Sequence, residues 1–179
     1  QAVGKTTLVH RMCRGIIEEN TLPTIATANY VLEGPPESPE KSVEIWDTAG
    51  AERYRALNSV YYHNCSGGIL VFDLTQKESF EGLTSWVEEF TSLAIPGAPI
   101  FLVGNKKDAP NHVIKIDEAQ RWGELRGMHF FATSALRGDG IQQLIDDIQS
   151  TFSSMTNVAL TQIDAHRIEP REDDDKCNC

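Results

Sequence analysis

The sequence predicts an α/β domain with a mostly parallel sheet and helices on both faces. Three observations predict it. Short apolar, β-prone runs alternate with longer stretches whose apolar residues recur at helical spacing. Gly4-Lys5-Thr6 stands directly before one of those helical stretches. Asp47, Asn105 and Ser134 each fall at or just past the C-terminal end of a predicted strand, where open α/β sheets bind ligands.

The chain has 179 residues, enough for one domain with a real core. Its net charge of −10 disfavours nucleic acid as the main partner. No apolar run approaches the roughly 18 residues of a membrane span. The only cysteines are Cys13, Cys65, Cys177 and Cys179, too few for a disulfide framework at this length, which fits a reducing, cytoplasmic compartment.

Thr7 to Ile17 reads as a helix, and Asn20 to Asn29 as a loop with little periodicity. Asn29–Glu33 and Ser42–Trp46 are β-prone runs around a turn from Gly34 to Pro39, which suggests an antiparallel pair. Gly67 to Leu74 is a buried strand. Glu78 to Leu93 is a helix with Phe80, Leu83, Val87 and Phe90 on one face. Pro99–Val103 is a second buried strand, Ile116–Leu125 a helix, Met128–Ala132 a strand and Gly140–Phe152 a final amphipathic helix. The expected domain covers residues 1–152. From 153 to 179 large apolar residues become few, the chain ends REDDDKCNC, and a disordered tail is expected.

Gly4-Lys5-Thr6 is the second half of the phosphate-loop pattern Gly-x-x-x-x-Gly-Lys-[Ser/Thr]. Backbone N–H groups of such a loop, together with a helix N-terminus, point at phosphate. Lys5 supplies a point charge and Thr6 a hydroxyl for Mg2+. The first glycine of the pattern and the apolar strand before it would precede Gln1, so the chain reads as truncated at that end. Asp47-Thr48-Ala49-Gly50 follows the run VEIW. Asp47 is placed to hold Mg2+ through a water, and Gly50 to offer its N–H to a terminal phosphate. Asn105-Lys106-Lys107-Asp108 is the pattern for a guanine reader: Asp108 accepts from the base N1–H and exocyclic amine, a pairing adenine does not offer. Alone, each tetrapeptide is more often a solvated turn; three in this order point to a nucleotide.

At these motifs the chain resembles the Ras superfamily of small GTPases, and most closely the Rab family. SVEIWDTAG, ERYRAL, YYHNC and VFDLT carry the likeness over residues 1 to about 152. The resemblance implies a P-loop NTPase small GTPase domain, with its first strand missing from this chain. It implies a switch that binds GTP or GDP with Mg2+ and regulates vesicle-mediated traffic. The nucleotide-binding residues it implies are Gln1, Ala2, Val3, Gly4, Lys5, Thr6 and Thr7 in the loop, Thr24 and Gly50 at the terminal phosphate, and Asn105, Lys106, Asp108, Ser134, Ala135 and Leu136 around the base. Lys106 would lie along the base plane, and the Ser134–Leu136 loop would offer an N–H to the base oxygen. Thr6, Thr24 and Asp47 are the implied metal set; Lys5, Thr24 and Gly50 the catalytic one. Residues 18–29 and 48–62 are the implied switches, ordered by the terminal phosphate and facing effectors. An exchange factor, a GTPase-activating protein, a GDP-dissociation inhibitor and prenylation escort machinery follow as family partners of a monomer. Cys177 and Cys179 match the Cys-x-Cys ending that receives two prenyl groups, enough to hold a protein stably on the cytosolic face of a membrane.

Departures from the pattern carry their own expectations. Ala51 stands where a glutamine usually orients the attacking water, so intrinsic hydrolysis is expected to be slow. Ile17 replaces an aromatic that packs on the guanine, and Leu136 a lysine. Ala26 and Asn29 replace a glycine and a phenylalanine of the first switch, so the effector patch formed with Trp46 and Tyr61 is smaller and more polar. Glu172, Asp173, Asp174 and Asp175 oppose anionic lipid, or are a solvated spacer. Two rival readings remain: a GTP-binding, effector-recruiting protein with negligible hydrolysis, and a small-molecule P-loop kinase. Asn105-Lys106-Lys107-Asp108 argues against the kinase.

Overall fold

The structure is a computed structural model that describes residues 2–17, 24, 27–50, 55–63 and 65–167. In chain order the elements are α1 (Lys5–Arg14), β1 (Ala28–Leu32), β2 (Val43–Asp47), α2 (Arg55–Tyr62), β3 (Gly68–Asp73), α3 (Lys77–Glu81), α4 (Leu83–Leu93), β4 (Ile100–Asn105), α5 (Ile116–Glu124), β5 (His129–Ala132) and α6 (Ile141–Arg167).

The expected α/β alternation is present, and the strands form two sheets. β1 and β2 pair antiparallel, with Ala28 opposite Asp47 and Leu32 opposite Val43. β3, β4 and β5 form a parallel sheet in that order, with Asp73 beside Asn105 and Gly104 beside Ala132. β4 is central and buried along its whole length. Its side chains alternate between two cores, as a period of two requires. Phe101 and Val103 pack with Leu8, Val9 and Met12 of α1 and with Leu144 and Ile148 of α6. Ile100 and Leu102 pack in the other core with Phe72, with Leu83 and Phe90 of α4, and with Ala119 of α5 and Met128. Helices therefore cover both faces.

β2 is paired only with β1, and β3 only with β4, among the described residues. A cavity of about 900 Å3 lies between their other edges, lined by Val43, Ile45, Ile69 and Val71 and reaching Val3 at its end.

Several boundaries differ from the sequence reading. α1 begins at Lys5 and stops at Arg14, because Gly15 turns left-handed at φ 68° and its N–H caps Arg11 O at 3.2 Å. The single helix expected over Glu78–Leu93 is two, α3 and α4, meeting at Gly82, a residue with little intrinsic support for a continuous helix. α6 runs past the expected end at Phe152 to Arg167, so residues 153–167 are helical rather than the start of a disordered tail. The segment 55–62 of the second expected switch is helical as well.

Candidate functional site

The C-terminal ends of β2 and β4 meet the start of α1, and the ends of β3 and β5 join them through Lys106 and Asn105. Gly4 adopts φ 88° before α1, and a Cβ there would come within 2.5 Å of Asn105 Nδ2, so this turn needs glycine for both its backbone and its neighbour. α1 carries no acidic residue in its first turn, which leaves its N-terminal N–H groups and dipole free of internal negative charge.

Asn105 is the joint of the site. It is buried, and its Nδ2 donates to Val3 O at 3.0 Å. Its Oδ1 accepts from Thr133 Oγ1 at 3.2 Å and from the Ala135 N–H at 3.1 Å. One side chain thus ties the Gly4 loop to the Ser134 loop. Ala135 enters the arrangement through that bond to Asn105. Ser134, also buried, donates from Oγ to Asp108 Oδ1 at 2.5 Å and accepts from the Arg137 N–H at 2.9 Å, so the carboxylate is held from one oxygen. Leu136 is exposed beside it.

Lys106 sits at φ 64°, a left-handed conformation unusual for a residue with a Cβ. Its Nζ lies 2.6 Å from Asp73 Oδ2, a carboxylate with no exposed surface. Burial pushes the Asp73 carboxyl up, but the bonds from Lys106 and Thr75 outweigh it and hold it below the usual carboxylate range. The pairing was not foreseen. Asp73 lies within VFDLT, where nothing local marks a partner at position 106.

At the other end Thr6, Thr24 and Asp47 converge. Thr6 Oγ1 donates to Asp47 Oδ2 at 2.6 Å and lies 2.7 Å from Thr24 Oγ1; Thr24 Oγ1 donates to the same Oδ2 at 3.3 Å. Asp47 is buried and its Oδ1 has no hydrogen-bond partner among the described residues. Two hydroxyls and one carboxylate are hard oxygen donors, the set Mg2+ takes when phosphate and water complete its shell. Among the described residues no cluster of three His, Cys, Asp or Glu forms a cage without a phosphate. The residues present therefore fit Mg2+ as a partner of a bound nucleotide. Gly50 and Lys5 lie at this end, both lining the large cavity.

Trp46 and Tyr61 stack with centroids 5.5 Å apart, both substantially exposed. Asn29 Nδ2 reaches Glu44 Oε2 at 3.5 Å on the same face, so the patch is aromatic at its centre and polar at its margin. Ile17 is exposed beyond the end of α1. Gln1, Ala51 and most of the first expected switch, together with Cys177 and Cys179, lie outside the described residues. No helix among the described residues is long and apolar enough to cross a membrane.

The Ras family model matches residues 1–154. The chain is 39% identical over 146 residues to the ras-related protein Rab-5B of Dictyostelium discoideum, covering 81% of this chain and 68% of that protein. It is 32% identical to Ras-related protein Rab-4 of the same organism, covering 94% of this chain and 79% of the relative. It is 32% identical to RABA4b of Arabidopsis thaliana, over 87% of this chain and 70% of the relative. With the motifs, the fold and these likenesses in agreement, the chain belongs to the Rab small GTPases of the Ras family.

Proposed function

We propose that this chain is a GTP/GDP switch for vesicle-mediated membrane traffic, with the nucleotide spanning from Gly4 to Ser134. The observation that carries this reading is the bonding of Asn105 to both the Gly4 loop and the Ala135 loop. A site that grips phosphate at one end and base at the other needs those ends at a fixed separation.

In this reading the α1 N-terminus and the N–H groups of Ala2 to Thr7 hold the phosphates, and Lys5 neutralises their charge. Thr6, Thr24 and Asp47 would hold Mg2+, which when bound neutralises charge on the outer phosphates. Gly50 offers its N–H to the terminal phosphate. Asp108 accepts from the guanine edge with Ser134 fixing its orientation, while Asn105, Lys106, Ala135 and Leu136 complete the base pocket. Trp46, Tyr61 and the switch segments 18–29 and 48–62 meet effectors in the GTP state. Exchange factor, GTPase-activating protein, GDP-dissociation inhibitor and escort machinery follow from family membership. Cys177 and Cys179 carry prenyl groups that place the protein on the cytosolic face of a membrane.

Ala51 makes the switch slow to turn off, because a methyl group cannot orient the attacking water. Single-turnover GTP hydrolysis in the parent and in Ala51→Gln tests this. The glutamine is expected to speed hydrolysis by about tenfold or more. Equal and substantial rates would show that another group positions the water. The second reading, GTP binding with negligible hydrolysis, rests on the same Ala51; it holds if an activator that donates a glutamine leaves the rate at background.

A further inference from the structure

Asp73 has no role in the mechanism above, yet it is the most deeply buried acid beside the base pocket. It closes β3 directly alongside Asn105 of β4. Its two carboxylate oxygens do different things. Oδ1 accepts from the Thr75 N–H at 2.8 Å and from Thr75 Oγ1 at 2.7 Å, which shapes the turn after β3. Among the described residues Oδ2 has no hydrogen-bond partner apart from the Lys106 ammonium, 2.6 Å away. A carboxylate without exposed surface requires such a counter-charge.

Lys106 in turn needs holding. Its backbone is left-handed at φ 64°, fixed by the bond from the Ala109 N–H to Lys106 O at 3.0 Å. A lysine stem has many rotamers, and an ammonium prefers bulk water. The buried charge of Asp73 selects one of them.

We propose that Asp73 is a positioning residue for nucleotide retention: it anchors the Lys106 ammonium so that the lysine stem forms a fixed wall against the plane of the base. This rests on the guanine-nucleotide reading above. Asp73 does not touch the nucleotide; it acts through Lys106. Because the wall meets the face of the base and not its edge, the anchor affects every purine that Asp108 admits.

The test is the dissociation rate of fluorescently labelled GDP and IDP from the parent, Asp73→Asn, Lys106→Met and the double variant. Asp73→Asn keeps a carbonyl oxygen for Thr75 while placing an amide against the ammonium. Lys106→Met keeps the stem and removes the charge. Each single change is expected to raise the GDP off-rate by about tenfold. The double variant should be no faster than the faster single, and the GDP-to-IDP ratio should match the parent. An unchanged off-rate in Asp73→Asn overturns the proposal. So does a double variant whose effects multiply, or a lowered melting temperature of the nucleotide-free protein with an unaltered off-rate, which marks a purely structural acid. A parent that binds neither nucleotide overturns the guanine reading itself, and this inference with it.

Discussion

Asn105 and the Thr6–Thr24–Asp47 group occupy opposite ends of one site and are built from different bonds. Asn105 reaches two backbone groups and one buried hydroxyl, shared between the Gly4 loop and the loop after β5. Thr6, Thr24 and Asp47 reach one another, oxygen to oxygen, through side chains alone. The first arrangement is scaffold: removing it releases the loops themselves. The second is a donor set whose internal hydrogen bonds a cation would replace, with Asp47 Oδ1 already without a partner among the described residues. In the proposed reading the base end would therefore be fixed by the fold, whereas the metal end would depend on Thr24, the one described residue within 18–26.

The largest effect should come at the base edge. Asp108→Asn replaces a double acceptor with a group that donates, and GTP affinity should fall by about three orders of magnitude. The same amide suits the xanthine carbonyl, so the variant should prefer XTP; competition between the two nucleotides measures this, and an unchanged preference for GTP would remove Asp108 from the base pocket. Asn105→Ala comes next. It leaves Val3 O and the Ala135 N–H without their partner, at about 1 kcal/mol per lost bond. Chemical denaturation should show a loss of roughly 2–3 kcal/mol, together with weaker binding of GTP and GDP alike. Stability equal to the parent would mean that Asn105 is no joint.

Thr6→Val should act only through the metal. GTP affinity with Mg2+ is expected to fall about tenfold, and affinity in a chelator to stay near the parent value. A loss of equal size in both conditions would return Thr6 to a packing role and erase the contrast between the two ends. The smallest effect is expected at Ile17, exposed beyond α1. Ile17→Phe should slow nucleotide release a few-fold, since an aromatic contact contributes on the order of 1 kcal/mol. An identical off-rate would place Ile17 away from the base.

The strand ends and motifs were legible because they are local. Asp47, Asn105 and Asp108 advertise themselves in four-residue patterns, and the unbroken apolar run Ile100–Val103 marks a strand buried on both faces. The break at Gly82 was less visible, since the apolar spacing of Phe80, Leu83 and Val87 continues through it. The extent of α6 was underestimated for a different reason. Ser153, Ser154, Thr156 and Asn157 favour loops and caps, and their density outweighed the helical spacing of Met155, Val158, Ala159 and Ile163. The Asp73–Lys106 pair had no sequence signal, because it joins the ends of adjacent strands that α3 and α4 separate along the chain. Ala51, on which the expected hydrolysis rate turns, lies outside the described residues, so its reading rests on sequence.

The cavity between β2 and β3 has a consequence for handling the protein. Each strand presents a row of backbone donors and acceptors along it that no described strand pairs. Such rows are templates for any extended chain that reaches them. Amide protons along β2 and β3 should therefore exchange with deuterium faster than those of β4, which is paired on both sides. An extended segment that pairs these rows should slow that exchange to the rate of β4, which makes the two strands a reporter for whatever occupies the cavity.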